Sequence, residues 1–384
     1  MKVCILTSSR AEYGLLYPTL KAVDESDALD LKLVVTGTHL SHEFGYTLND
    51  ILSDGFQPSI TIPNLVSDDS SLAITFSSSI LMQSLATFFE QTEPHCFIVL
   101  GDRLELLAAC EAAMIAKIPI VHIHGGEITE GAIDDKVRHA ISKLANLHFT
   151  STEAYRQRII QMGEQEETVI KCGALGLESI DKKNILSTNE LSEIFSFDLN
   201  GNYFLIVYHP ETNKDSSDIS DLFKLMDDYQ DYKMVIIYPN SDNMSREIIS
   251  QIENYKNNFP NNVLLIKSAV RTNYIGLMNH CSIFIGNSSS GIIEMPSFYR
   301  PIINIGDRQK GRIKSKSTID SRLNYKSLKL AVEAAFSDDF QNELSTMHNP
   351  YEGIKPSALI VEKLEEKLPT MTVQKKFIDS NFNS

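Results

Sequence analysis

Short apolar runs rich in Val, Ile and Leu recur along the chain, and each ends in Gly, Ser, Thr, Asp or His. In the first half they are KVCILTSS, LKLVVTGT, HCFIVLGD, PIVHIHGG and NLHFTST. Between several of them lie stretches with helical spacing, such as Leu104 to Ala116 and Ile133 to Leu144. Uninterrupted apolar runs suit parallel strands covered on both faces, and their alternation with helices predicts βαβ units. From Asn184 to Gly201 the text turns polar, which predicts a linker or a helix at a domain edge. The pattern then restarts with YFLIVYHP, YKMVIIYPN, NVLLIKS, CSIFIGN and PIINIGD, without a direct sequence repeat. This predicts an α/β protein of two doubly wound, Rossmann-like domains, residues 1–182 and 183–366. The tail, 367–384, has few apolar anchors and is expected to be partly mobile. Two such domains facing each other would place their strand ends at a common cleft. Ligands of open parallel sheets bind outside those ends, so the residues there are the ones to read for chemistry.

Composition narrows the classes of function. At 384 residues and 42% hydrophobic content, two ordinary globular domains fit. No apolar run approaches the roughly 20 residues of a membrane span, and VCIL is too short for a secretory signal. Five scattered cysteines without a CxxC pair read as buried apolar side chains in a reducing compartment, so a cytoplasmic location is expected. A formal charge of −15 argues against nucleic acid. A small anion could still bind where arginines are concentrated.

The strand ends carry such arginines. TSSRAEYG places Ser8, Ser9 and Arg10 at the first turn; it is not GxGxxG, so a dinucleotide is not indicated. The next such turn holds Gly101, Asp102 and Arg103, with Asp102 also suited to capping a helix. In VHIHGGEITEGAIDDKVRH, His122 and His124 alternate, so on a strand they would share a face, and Glu127 follows two glycines. Asp134 and Arg138 lie four apart, as do Asp135 and His139, so each pair fits one helical face. This density of acids and bases suggests proton transfer, and no zinc-ligand spacing is present. In the second half, strand ends offer His209 before Pro210, Asn240, and Arg308 with Arg312. IFIGNSSSGIIEM reads as a strand, a turn and a helix start. Ser288, Ser289, Ser290 and Gly291 would then form a phosphate site at the helix N-terminus, with Glu294 one turn on for ribose hydroxyls.

These residues resemble those of the hydrolysing UDP-N-acetylglucosamine 2-epimerases of sialic-acid synthesis, the bacterial polysialic-acid capsule type above all. The resemblance covers nearly the whole chain through TSSRAEYGLL, VTGTHLS, FGYT, LGDRLE, HIHGGEITEGAIDDKVRHAISKLA, YHPET, IGNSSSGIIE and INIGDRQKGR. It implies a glycosyltransferase-B-like fold with the active site in the interdomain cleft, no metal or other cofactor, and a homodimer or homotetramer. The implied substrate is UDP-N-acetylglucosamine, converted with water to N-acetylmannosamine and UDP. Arg10, His209, Ser288, Ser289 and Arg308 would hold the diphosphate, with Arg103 close by, and Asn240 and Glu294 the nucleoside. Asp102 and Asp134 would be the acid–base carboxylates, with Arg138 orienting Asp134. Some relatives have glutamate where this chain has His124, so His124 or Glu127 is a further proton carrier, or the two aspartates suffice. A UDP-linked diacetamido-trideoxy sugar, or a non-hydrolysing epimerase or glycosyltransferase reaction, is the alternative.

Overall fold

The computed structural model describes residues 1–66, 68, 70–130, 133–180, 182–210, 218–239, 245–267 and 269–379. They form two compact units. The first comprises Met1–Glu127, Ile133–Ser179 and Tyr351–Ser384; the second comprises Ile128–Ala132 and Ile180–Pro350.

The first unit is built on β1 (Lys2–Thr7), β2 (Asp30–Thr36), β3 (Ile60–Ile62), β4 (Cys96–Leu100), β5 (Ile120–Ile123), β6 (Leu147–Thr150) and β7 (Val169–Lys171). They pair in the order β3-β2-β1-β4-β5-β6-β7, every pair parallel. Side chains alternate between two cores. Val3 and Ile5 pack on one face with Leu16 and Leu20, and Cys4 and Leu6 on the other with Leu81 and Leu85. The second unit holds β8 (Tyr203–Val207), β9 (Lys233–Ile237), β10 (Val263–Ile266), β11 (Ile283–Gly286), β12 (Ile302–Ile305) and β13 (Thr318–Ser321). Their order is β10-β9-β8-β11-β12-β13, again all parallel. All five cysteines are buried and unpaired.

The predicted helices form at Leu104–Ile115 and Ile133–Leu144, and the polar stretch after Asn184 holds a helix, Thr188–Phe195, closed by a capping box from Ser187 and Glu190. Three features differ from expectation. The chain returns to the first unit after residue 350: helix Pro356–Lys367 places Ile360 and Leu364 in that unit's core, so residues 351–366 leave the second domain to which the pattern assigned them. The tail is anchored as far as its described residues go, to 379. Lys375 donates from Nζ to Ala145 O at 2.7 Å and to Glu164 at 2.9 Å, Phe377 packs on Gly163, and Ile378 N donates to Gly163 O at 3.0 Å. Finally, helix Ser71–Thr92 is long and apolar enough to cross a membrane by length and composition. Its hydroxyls hid this in the text, yet Thr75, Ser79 and Ser84 return their donors to carbonyls one turn back, so they interrupt the apolar run without adding charge.

The tail socket makes a testable claim. Glu164 is buried between Lys143 (2.6 Å) and Lys375 (2.9 Å), with His148 at 3.6 Å. Burial pushes its carboxyl up, but His148 and the two ammonium groups outweigh that and hold it at about 2. A depressed folded-state value adds stability that is complete above the unfolded value and lost as pH falls through the folded one. Glu164→Gln is therefore expected to cost about 3 kcal/mol near neutral pH. Its deficit against the wild type should shrink as pH falls from about 5 towards 2, read by denaturant unfolding at several pH values.

Candidate functional site

In an open parallel sheet the loops on either side of a strand-order reversal splay apart and leave a crevice at the carboxyl ends. The first sheet reverses between β1 and β4, the second between β8 and β11. Arg10, Asp102 and Arg103 follow the strands at the first reversal and His209 and Ser288–Gly291 those at the second, while His124 and Glu127 follow β5 and Arg308 follows β12.

In the first unit, the turn after β4 is held from behind. Gly101 N donates to Ile123 O at 3.0 Å, and His122 Nε2 lies 2.8 Å from Gly101 O while its Nδ1 lies 3.0 Å from Ser142 Oγ. A carbonyl can only accept, so Nε2 carries the proton and Nδ1 accepts from the serine. Burial pushes this imidazole down to about 3, so it stays neutral and the tautomer is fixed. Asp102 does not cap the following helix, whose N-cap is Arg103. Its carboxylate instead pairs with Arg138, which is almost fully buried. Arg138 also donates from Nη1 to Glu127 O at 3.0 Å and stands 3.9 Å from Asp135. One guanidinium thus draws the turns after β4 and β5 together.

His124 lies past the end of β5 with φ +63°, a left-handed conformation uncommon for a residue with a Cβ. It therefore does not share a strand face with His122, as simple alternation predicted. Its Nε2 accepts from Leu175 N at 3.2 Å, so in the neutral ring Nδ1 carries the proton, 3.7 Å from Glu127 Oε1. Glu127 is buried and accepts from Ser151 Oγ at 2.8 Å. Asp102, His124, Glu127 and Arg138 are thus joined by direct contacts. Asp134 is exposed on the first turn of its helix, near enough to Arg103 to act on its charge. Arg103 pairs with Glu105 at 2.5 Å, and Arg10, half-exposed, stands 3.6 Å from Asp50. Sequence reasoning passed over Glu12, which accepts from Ser8 N (2.7 Å) and Ser8 Oγ (2.9 Å). Burial pushes its carboxyl up to about 7 against those bonds and Arg103. Its spacing of four from Ser8 was the available signal.

In the second unit, Gly286 ends β11 with φ +153°, and a Cβ there would stand 2.0 Å from Val207 O. Only glycine permits that approach, and Asn287 N then donates to Val207 O at 3.1 Å. Beyond it the helix spans Ser289–Ile293, five residues, with Ser288 as an N-cap that makes no side-chain cap bond. So short a helix offers little aligned dipole; what remains are its free N–H groups and the serine hydroxyls. Ser288 Oγ lies 3.0 Å from Ser290 Oγ, which lies 2.6 Å from Tyr274 Oη. Gly291 has a packing reason: a Cβ there would meet the Phe284 ring at 2.5 Å. Glu294 pairs with Arg271 at 2.5 Å. His209 is buried; burial, then the Arg308 guanidinium, push its imidazole down to about 3, so it serves as a neutral hydrogen-bonding group. Arg308 donates to Asn287 O at 3.1 Å. Asn240 lies outside the described residues. A guanidinium, a neutral imidazole and a row of hydroxyls at or beside one strand-order reversal form a donor-rich set suited to an anion.

Comparison with known proteins places this arrangement. A profile described as UDP-N-acetylglucosamine 2-epimerase matches residues 21–365. The chain is 35% identical over 382 residues, 98% of its length and 99% of the other's, to a protein of Campylobacter jejuni named GDP/UDP-N,N'-diacetylbacillosamine 2-epimerase (hydrolyzing). It is 33% identical to Polysialic acid biosynthesis protein P7 of Escherichia coli, over 94% of this chain and 92% of that one. Among solved structures, a UDP-GlcNAc 2-epimerase from Neisseria meningitidis bound to UDP-GlcNAc superposes with TM-score 0.80 at 20% identity, covering 96% of this chain and 100% of the other. That likeness bears out the expected fold class of two parallel-sheet α/β domains.

Proposed function

Because the chain belongs to the UDP-N-acetylglucosamine 2-epimerase family, we propose that it is a hydrolysing 2-epimerase, releasing UDP and a free 2-acetamido sugar inverted at carbon 2. The proton on carbon 2 is not acidic, so direct removal would be slow. If the anomeric bond to UDP breaks first or concurrently, positive charge at the ring lowers that barrier. Anti elimination then gives a glycal and UDP. Water adds at carbon 1, and a proton returns to carbon 2 on the opposite face. This requires charge stabilisation on the departing diphosphate and at least two proton-handling groups.

In this reading His209, Arg308, Ser288 and Ser289 take the diphosphate, with Arg10 and Arg103. Glu294 and Asn240 take the nucleoside. Asp102 and Asp134 exchange protons with the sugar, and His124, beside Glu127, stands where some relatives have glutamate. The observation that carries the reading is the buried Arg138, which holds the Asp102 carboxylate and the Glu127 main chain in one fixed arrangement. A buried guanidinium keeps its carboxylate ionised and oriented, as a base at carbon 2 must be.

Two sugars compete. The name of the Campylobacter jejuni relative favours UDP-N,N'-diacetylbacillosamine. The family description favours UDP-N-acetylglucosamine, whose product would be N-acetylmannosamine for sialic-acid synthesis. Of the two, the diacetamido sugar has the better support, from a relative matched over nearly the full length. A cytoplasmic homodimer or homotetramer completes the reading. Supplying both nucleotide sugars side by side and identifying the free sugar tests it. Release from neither, or product still attached to UDP, contradicts it.

A further inference from the structure

We propose that Asn287 is a positioning residue that sets His209 and Arg308 in one arrangement for the departing diphosphate; this rests on the nucleotide assignment above. Asn287 is fully buried, and it bridges three segments of the second unit. Its side chain clamps His209 from both sides: Oδ1 accepts from His209 N at 2.7 Å, and Nδ2 donates to His209 O at 2.8 Å. The pair reproduces, between a side chain and a main chain, the two-way bond of a sheet. It extends the join between β8 and β11 two residues beyond β8's last backbone contact, Asn287 N to Val207 O. Because Pro210 follows and has no N–H, the fixed point at His209 is where the chain leaves the sheet.

The main-chain oxygen of Asn287 does the second task. It accepts from Arg308 Nη1 at 3.1 Å and from Gln309 Nε2 at 2.9 Å. A carbonyl has two lone pairs, so both bonds are compatible. One residue therefore sets the main chain under the imidazole and the tether of the guanidinium. The same arginine lowers the histidine's proton affinity. Moving Asn287 would shift both donors together. Gly286 makes this reach possible, since any side chain there would push β11 away from Val207 O.

A residue acting through two others should show coupling to them, whereas a general packing role should not. The experiment measures UDP affinity by calorimetry for the wild type, Asn287→Ala, Arg308→Ala and the double variant. Asn287→Ala is expected to weaken UDP binding about 10- to 100-fold. The loss caused by Arg308→Ala should be at most about half as large, in free energy, in the Asn287→Ala background. In turnover assays the substitution should raise KM more than it lowers kcat. If Asn287→Ala does not fold, Gln309→Leu perturbs the same carbonyl from the other side and is expected to weaken UDP about 3- to 10-fold. Wild-type affinity in a folded variant, or strictly additive losses, overturns the positioning role alone. A wild type that binds no UDP overturns the nucleotide assignment itself.

Discussion

Asp102→Asn is expected to lower turnover by about 10²- to 10⁴-fold, the usual span for loss of a general acid or base. UDP affinity should change by less than about threefold, because the amide keeps the shape and leaves the charge of the neighbouring Arg103 untouched, and the donors His209, Arg308, Ser288 and Ser289 sit on another sheet. The magnitude follows from what the carboxylate does. It is partly exposed and paired with a buried arginine, so it is ionised and fixed, whereas an amide cannot take a proton. The substitution also strips Arg138 of a counter-charge, so the melting temperature should fall, and assays belong well below it. Steady-state turnover beside calorimetric UDP binding separates the effects. Unchanged turnover removes Asp102 from the chemistry.

Arg308→Ala is expected to weaken UDP binding about 10- to 100-fold, the range for losing a charged hydrogen-bonding partner. A second readout needs no ligand. Burial first and Arg308 second hold the His209 imidazole at about 3, so removing the guanidinium should raise that value. The half-protonation point of His209, followed by NMR, should move upward. An unmoved titration together with unchanged affinity would show that Arg308 acts elsewhere.

The long strands were legible because parallel strands buried on both faces must be apolar throughout. β3, β7 and β13 were not: each is three or four residues long at or near a sheet edge, with partly exposed positions and no apolar run. Helix Pro356–Lys367 buries Ile360 and Leu364 one turn apart, but such spacing does not say which sheet a helix will cover, and it covers the first. Strand-end reasoning put Asp102, Glu127, His209 and Ser288 in the loops after strands, where the structure has them, because the apolar runs mark where each strand stops. It misread His124, whose left-handed backbone breaks the alternation. It explained Gly291 by an approaching phosphate, although the Phe284 ring already demands a glycine. Asn287 stood in plain view among the serines of IFIGNSSSGIIEM. Its importance lies in contacts 78 residues back and 21 residues ahead, which no local pattern displays.

The most direct measurement is the fate of carbon 2 in deuterated water. The protein is incubated with UDP-N-acetylglucosamine and with UDP-N,N'-diacetylbacillosamine, and the products are read by NMR and mass spectrometry. The account predicts, from at least one of them, UDP and a free sugar with inverted carbon 2 bearing deuterium. A free sugar with protium at carbon 2, or an epimer still linked to UDP, would contradict it.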